Sequence, residues 1–477
     1  MTNRRGTRPD LAVLAGMGAA VIGVAAWSGT WDLSREHPGS YSAAVAVGLA
    51  LWALAGVWVV TRRPRGRAVF LLVLVVAFGA RLVLVPNPPD LSGDINRYVW
   101  DGRVQAAGIN PYRYAPDDPR LSALRDPVVH PNINHIDDPT IYPPVAQGVF
   151  AGLHQLGLDT VTRVKLAFSV LDVLSVLLIG ILLARIGRPP AWALLYGWHP
   201  LGVMEVGRSG HVDAVAVLLL LAALVAVAGR RRDGLGGVLL AAGALVKPSV
   251  AAALPAVAGR GRRMWRLPAA FGVTAVAAYL PYLGVGSGVL GYLPGYLDEE
   301  GFADGRRYYL LAQAERFTGP LDIGPVTADR WYPVLAALIV GGVAVWCLRD
   351  PRDDARAMLD RAGLLLVVAF LLGSPSYPWY LLAPLALVPL MSAWIAAPAV
   401  VIASAAPFLY LQWWLDPAPE WPPHLGWGLG ALILVITLLR RRRAPGTGGA
   451  VGVRFPRSLA ARLPAPGSER SSDQRFS

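Results

Sequence analysis

The sequence predicts an all-α polytopic membrane protein. It has about 12 transmembrane helices, a re-entrant hairpin and a large first-half outer loop that carries an amphipathic helix. Three observations lead there. Of 477 residues, 55% are hydrophobic and only 16% charged, where a soluble chain carries roughly a quarter charged. The apolar residues fall in runs of membrane-spanning length. The charges also sort between the loops by sign.

The candidate spans are 11–27, 43–60, 68–85, 165–186, 190–206, 212–228, 267–285, 331–348, 363–373, 377–391, 393–412 and 424–439. With the N-terminus in the cytoplasm, inner loops carry 24 Lys/Arg and 6 Asp/Glu, and outer loops 13 and 22. This is the positive-inside pattern. It predicts a multi-pass protein of the cell membrane with both termini cytoplasmic. The net charge of +13 is therefore mainly a topology signal, and the scattered arginines form no nucleic-acid patch. The first apolar run lacks a cleavage site and reads as a span. The single Cys347 excludes an internal disulfide and a Cys-based metal site. Residues 1–443 form the membrane domain, and 444–477, rich in Gly, Pro, Ser and Arg, read as a disordered cytoplasmic tail.

One segment breaks the alternation. Residues 235–258 lie between Arg230–Arg232 and Arg260, Arg262 and Arg263, and both flanks belong in the cytoplasm. Twenty-four residues cannot cross twice, because one spanning helix takes about 20. The expected form is a hairpin turning at residues 246–248, with Lys247 before Pro248. Such a backbone persists only when buried in protein or lining a wet cavity. Lys247 is one of two lysines beside 42 arginines.

The stretch 91–114, LSGDINRYVWDGRVQAAGINPYRY, follows span 68–85. As a helix it places Asp94, Arg97, Asp101 and Gln105 on one face. Lying along the bilayer surface, it would turn its carboxylates to water. Residues 145–156 read as a second interfacial helix. Asp172, inside a span, is by default a functional or pairing residue, with Arg81 as its candidate partner. The turn HPLGVMEVGRSGHVD brings His199, Glu205, Arg208, His211 and Asp213 together. Its spacing is no recognised metal-ligand pattern, and hydrogen-bonding or phosphate-binding roles fit better. Arg306 and Arg307, followed by two tyrosines, suit either an anionic head group or a solvated helix face. Nucleotide loops, nucleophile elbows and repeats are missing from the sequence.

The runs GDINRYVWDGR, NPY, IYPP, WHP, GHVDA, ALVKP and SPSYPWYLL, in this order over about residues 70–415, resemble the polytopic GT-C glycosyltransferases. The closest likeness is to the bacterial polyprenyl-phosphate-mannose-dependent mannosyltransferases. The resemblance implies a cell-envelope enzyme facing outward. A sugar, mannose in particular, would pass from a polyprenyl-phosphate donor to a hydroxyl of a glycan, glycolipid or protein acceptor, with inversion at the anomeric carbon. It implies Asp94 as catalytic base. Asp101, about 10 Å further along the helix by rise, would orient the acceptor or fix Arg97 and Arg103. Arg97, Arg103, His211, Asp213, Lys247, Arg306, Arg307, Tyr142 and Tyr377 make up the expected substrate-binding set. The partners are the lipid-linked donor, the acceptor and membrane lipids, with no nucleic acid. No cofactor or metal is demanded. The alternative is a lipid-linked sugar transporter or flippase, which needs charged groups across both leaflets and an inverted repeat.

Overall fold

The structure is a computed structural model that describes residues 7–230, 232–259, 263–302, 305 and 307–443. Among these residues, seven helices are long and apolar enough to cross a membrane: Pro9–Gly29, Pro38–Arg62, Val161–Arg185, Met264–Leu290, Ala328–Arg349, Ala393–Trp414 and Trp421–Arg441. Asp213–Gly229, Asp233–Ala244, Pro248–Ala258 and Pro378–Leu387 are shorter apolar helices. The described chain is helical and contains only one isolated β-bridge, Ile323 to Val326. Arg306 and the expected tail 444–477 lie outside the described residues.

Six helices build the first half: α1 (Thr7–Gly29), α2 (Pro38–Arg62), α3 (Arg67–Leu82), α4 (Asp94–Ala106), α5 (Pro144–Gln155) and α6 (Val161–Arg185). Helix α1 packs between α2 and α3, α3 meets α6, and α6 meets Asp213–Arg230. That helix packs on Asp233–Ala244, which packs on Arg263–Tyr279. Gly237 lies against the backbone of Leu267 and the side chain of Ala270, leaving no room for a Cβ. Small residues allow this approach between membrane helices.

Residues 190–206 form no continuous helix. The chain breaks into Pro190–Ala193, Leu194–Gly197 and Pro200–Gly202, then widens into a π-helical turn over Val203–Arg208. The prolines remove backbone donors and interrupt helix propagation. His199 caps the resulting break, its Nδ1 accepting the Leu201 N–H at 3.1 Å. Residues 377–391 are likewise broken into Pro378–Leu381 and Leu382–Leu387.

Helix α4 does not lie on a surface with its carboxylates in water. Asp94, Ile95, Asn96, Arg97, Tyr98, Val99, Trp100, Asp101, Gly102 and Val104 are all buried. Residues 110–143 fold over it, and α5 packs along it. Helix α5 packs one face on α4, where Gln147 is fully buried. The amphipathic pattern seen in α4 reflects a polar face satisfied by protein groups rather than by solvent.

Arg81 and Asp172 join α3 to α6. Both are fully buried and 2.5 Å apart. Arg81 also donates to the carbonyls of Ala77 and Gly197, at 2.9 and 2.8 Å. Tyr196 donates to the other Asp172 oxygen. Removing one partner would strand a buried charge, at about 3–5 kcal/mol. Arg81→Met or Asp172→Ala should therefore lower thermal stability sharply in detergent. Arg81→Met/Asp172→Leu together should restore much of it, as read from unfolding curves of the three purified variants.

Candidate active site

A cavity of about 540 Å³ opens beside the N-terminus of α4. Asp94, Arg97, Tyr142, Lys247, Arg307 and Tyr377 line it, with apolar side chains from the 289–302 segment. The wall is built by α4, the 134–143 loop, the break before Pro248, the 289–302 segment and the 377–380 turn, among others. The Lys247 break follows from Pro248, which disfavours helical backbone at the residue before it. Lys247 accordingly takes φ −137°, ψ 115°. The exposed carbonyl of Leu245 accepts the N–H of Ala146 from α5, at 3.2 Å. The broken backbone is therefore satisfied within the protein, as a membrane interior requires.

Asp94 is the first residue of α4. Its Oδ1 accepts from Asn134 Nδ2 at 2.6 Å, and Oδ2 lies 3.7 Å from His211 Nδ1. One turn on, Arg97 is held on three sides. Nε donates to Asp101 at 3.0 Å, Nη1 to the His135 carbonyl at 3.2 Å and Nη2 to the Asp138 carbonyl at 3.0 Å. Asp101 also accepts from Thr140 at 2.6 Å and Gln147 at 2.8 Å. It thus joins α4, α5 and the 134–143 loop, and it sits behind the cavity wall.

Lys247 Nζ lies 3.2 Å from Asp213 Oδ2, and 4.9 Å from the centre of the Tyr380 ring. Arg307 pairs with Glu300 and donates to the Gly373 carbonyl at 3.1 Å. The three cations on the wall, Arg97, Lys247 and Arg307, each have a carboxylate partner, and those partners, Asp101, Asp213 and Glu300, do not line the cavity. Asp94 is the acid on the same wall.

Tyr377 stacks on Trp379 at 4.6 Å and meets Trp413 edge-on at 4.5 Å. Tyr296 and Tyr380 share a hydroxyl contact of 2.5 Å. Burial raises the Tyr142 and Tyr377 hydroxyls above the usual phenol range, so both remain protonated donors.

Of the expected substrate set, His211 and Asp213 lie one layer behind the wall. Arg103 lies away from the cavity, pairing with Asp126 and donating to the Leu124 carbonyl. Further aromatic residues line the cavity beyond the expected set, among them Trp379 and Tyr380 of the SPSYPWYLL run and Tyr296 and Trp413; in sequence, such residues look the same as ones that only anchor a helix at the bilayer surface. Among the described residues, no group of three His, Cys, Asp or Glu is placed to hold a metal ion.

Fold and site together define a polytopic helical membrane protein with one acid and three cations around an aromatic cavity. Residues 140–375, just under half of the chain, match the model of Glycosyltransferase family 87. The match indicates a membrane glycosyltransferase and includes Tyr142, Lys247 and Arg307, while Asp94 and Tyr377 lie outside it. No curated protein and no solved structure matches the chain.

The hydrogen bonds separate the two acids of α4. Asp101→Ala leaves Arg97, Thr140 and Gln147 without their acceptor and should destabilise the protein by about 3–5 kcal/mol. Asp94→Asn keeps an acceptor for Asn134 and should change stability by about 1 kcal/mol at most. Denaturation of the two variants in the same detergent checks the difference. Equal losses would make Asp94 a structural residue as well.

Proposed function

We propose that the protein transfers a sugar, mannose in particular, from a polyprenyl-phosphate donor to an acceptor hydroxyl on the outer face of the membrane. The observation that carries this reading is that one carboxylate, Asp94, and three cations, Arg97, Lys247 and Arg307, line a single cavity while the cations' carboxylate partners do not. The acceptor oxygen attacks the anomeric carbon while Asp94 takes its proton. The bond from that carbon to the phosphate oxygen breaks, and its electron pair leaves with the lipid phosphate. Lys247 and Arg307 stabilise that departing charge. One displacement inverts the anomeric centre and needs a single base.

The hydrocarbon tail would lie along Val289, Leu290, Leu293 and Leu297, which line the same cavity. Residues 235–258 would form a re-entrant hairpin presenting Lys247 at its tip. The contact of Gly237 with the first turns of Arg263–Tyr279 supports a segment that leaves and returns to one side. A transporter would use charges through both leaflets, whereas Arg81 and Asp172 are closed on each other.

Asp94→Asn should lower transfer by about 10²–10⁴-fold without loss of folded protein. Incorporation of radiolabelled mannose from polyprenyl phosphate measures it, and near-normal transfer would remove Asp94 from the mechanism. Lys247→Met should raise the KM for donor while leaving that for acceptor nearly unchanged, and Lys247→Arg should recover part of the loss. For orientation, Ser92→Cys and Ser122→Cys in a Cys347→Ser background should react with an impermeant thiol reagent added to intact cells. Protection until lysis would reverse the topology.

A further inference from the structure

Behind Asp94 the wall holds a second layer of chemistry. His211 is fully buried, with Nδ1 3.7 Å from Asp94 Oδ2 and Nε2 3.3 Å from Glu205 Oε2. Glu205 is also fully buried and accepts the Tyr410 hydroxyl at 3.1 Å. The imidazole stacks on Trp379, ring centres 3.9 Å apart and planes at 20°. Trp379 lines the cavity. Gly210, just before the histidine, has φ +76° and packs against Ile95 and Lys165, so a side chain there would be both strained and blocked. The backbone thus turns where only glycine fits and delivers the ring between two carboxylates.

We infer that His211 and Glu205 are positioning residues for transfer, forming a Glu205–His211–Asp94 chain that orients Asp94. The inference rests on the reading of Asp94 as the base. A ring held only for packing needs no acid at either nitrogen. Burying Glu205 costs several kcal/mol unless it is paired, and its partners here are His211 and Tyr410. Each nitrogen of the ring faces one of the two acids. Both separations are ion-pair distances rather than hydrogen bonds, and catalytic contacts of this kind commonly tighten when substrate binds. The other charged and titratable groups around Asp94 are Asp213 with its partner Lys247, and the phenols of Tyr98, Tyr142, Tyr377 and Tyr410. The carboxylate of Asp94 has about four lone-pair sites, so Asn134 and His211 leave room for the acceptor hydroxyl.

The test is steady-state transfer by the purified His211→Gln and Glu205→Gln proteins, each checked for folding by its thermal midpoint in the same detergent. Both should lower kcat by about tenfold to a hundredfold with an alkyl mannoside as acceptor probe while the donor KM stays nearly unchanged, because a misplaced base loses transition-state rather than ground-state interactions. His211→Asn, whose amide can still reach Asp94, should recover part of the loss. Normal kcat in folded His211→Gln, or a loss confined to the donor KM, would overturn the inference. If His211→Gln lowers the midpoint, Glu205→Gln decides alone, and normal kcat there overturns it. Asp94→Asn measured separately tests the base itself. Near-normal transfer by that variant would end the base reading whatever the histidine variants showed.

Discussion

A charge buried in a helical membrane bundle has little water to stabilise it, so protein groups must supply its partners. That constraint shapes this molecule more than any other. Arg81 is held by Asp172, Arg97 by Asp101, Lys247 by Asp213 and Arg208 by Asp90. The last pair is bidentate, and Arg208 also donates to the carbonyls of Ser28 and Trp31. Each pair links segments far apart in the chain, apart from Arg97 and Asp101 within α4. The pairs set where loops close over helices as much as apolar packing does.

The same constraint separates structural charges from those open to a ligand. Arg81 and Asp172 satisfy one another away from the cavity. At the cavity the pairs are asymmetric: the cation reaches the wall and the carboxylate stays behind it. An anion entering there would meet cations whose own desolvation is already offset by their partners. Such preorganisation favours charge that develops during reaction, because the donors need not reorganise as it appears. Lys165, the second lysine, has another task. Its ammonium donates to the carbonyls of Leu84 and Asn87 and so closes the chain just beyond α3.

The breaks in the helices serve this arrangement. Pro248 stops a helix where Lys247 is needed, and α5 supplies the backbone donor that the break leaves wanting. The π-helical turn at Val203–Arg208 brings Glu205 inward on the same short segment that sends Arg208 to Asp90. Irregular backbone of this kind is tolerated at membrane depth because it is enclosed by protein, and π-turns recur at functional sites.

Composition, run length and charge sorting by themselves determined that the chain is helical and membrane-embedded, because the bilayer imposes those patterns directly on residue order. The local punctuation was legible too: Pro248 marked the break, and the spacing of Asp94, Arg97 and Asp101 marked one helical face. What surrounds that face was not legible. Period alone cannot tell a polar stripe facing water from one facing Thr140, Gln147 and the 134–143 loop, so the surface position expected for α4 gave way to a buried one. Nor could spacing show that Arg103 turns to Asp126, that Asp213 stands behind Lys247, or that Glu205 and His211 line up on Asp94. Such pairings join residues more than a hundred positions apart, as with His211 and Asp94 (117) or Arg208 and Asp90 (118). Only tertiary packing, which decides what each buried charge finds within a few ångströms, could set them.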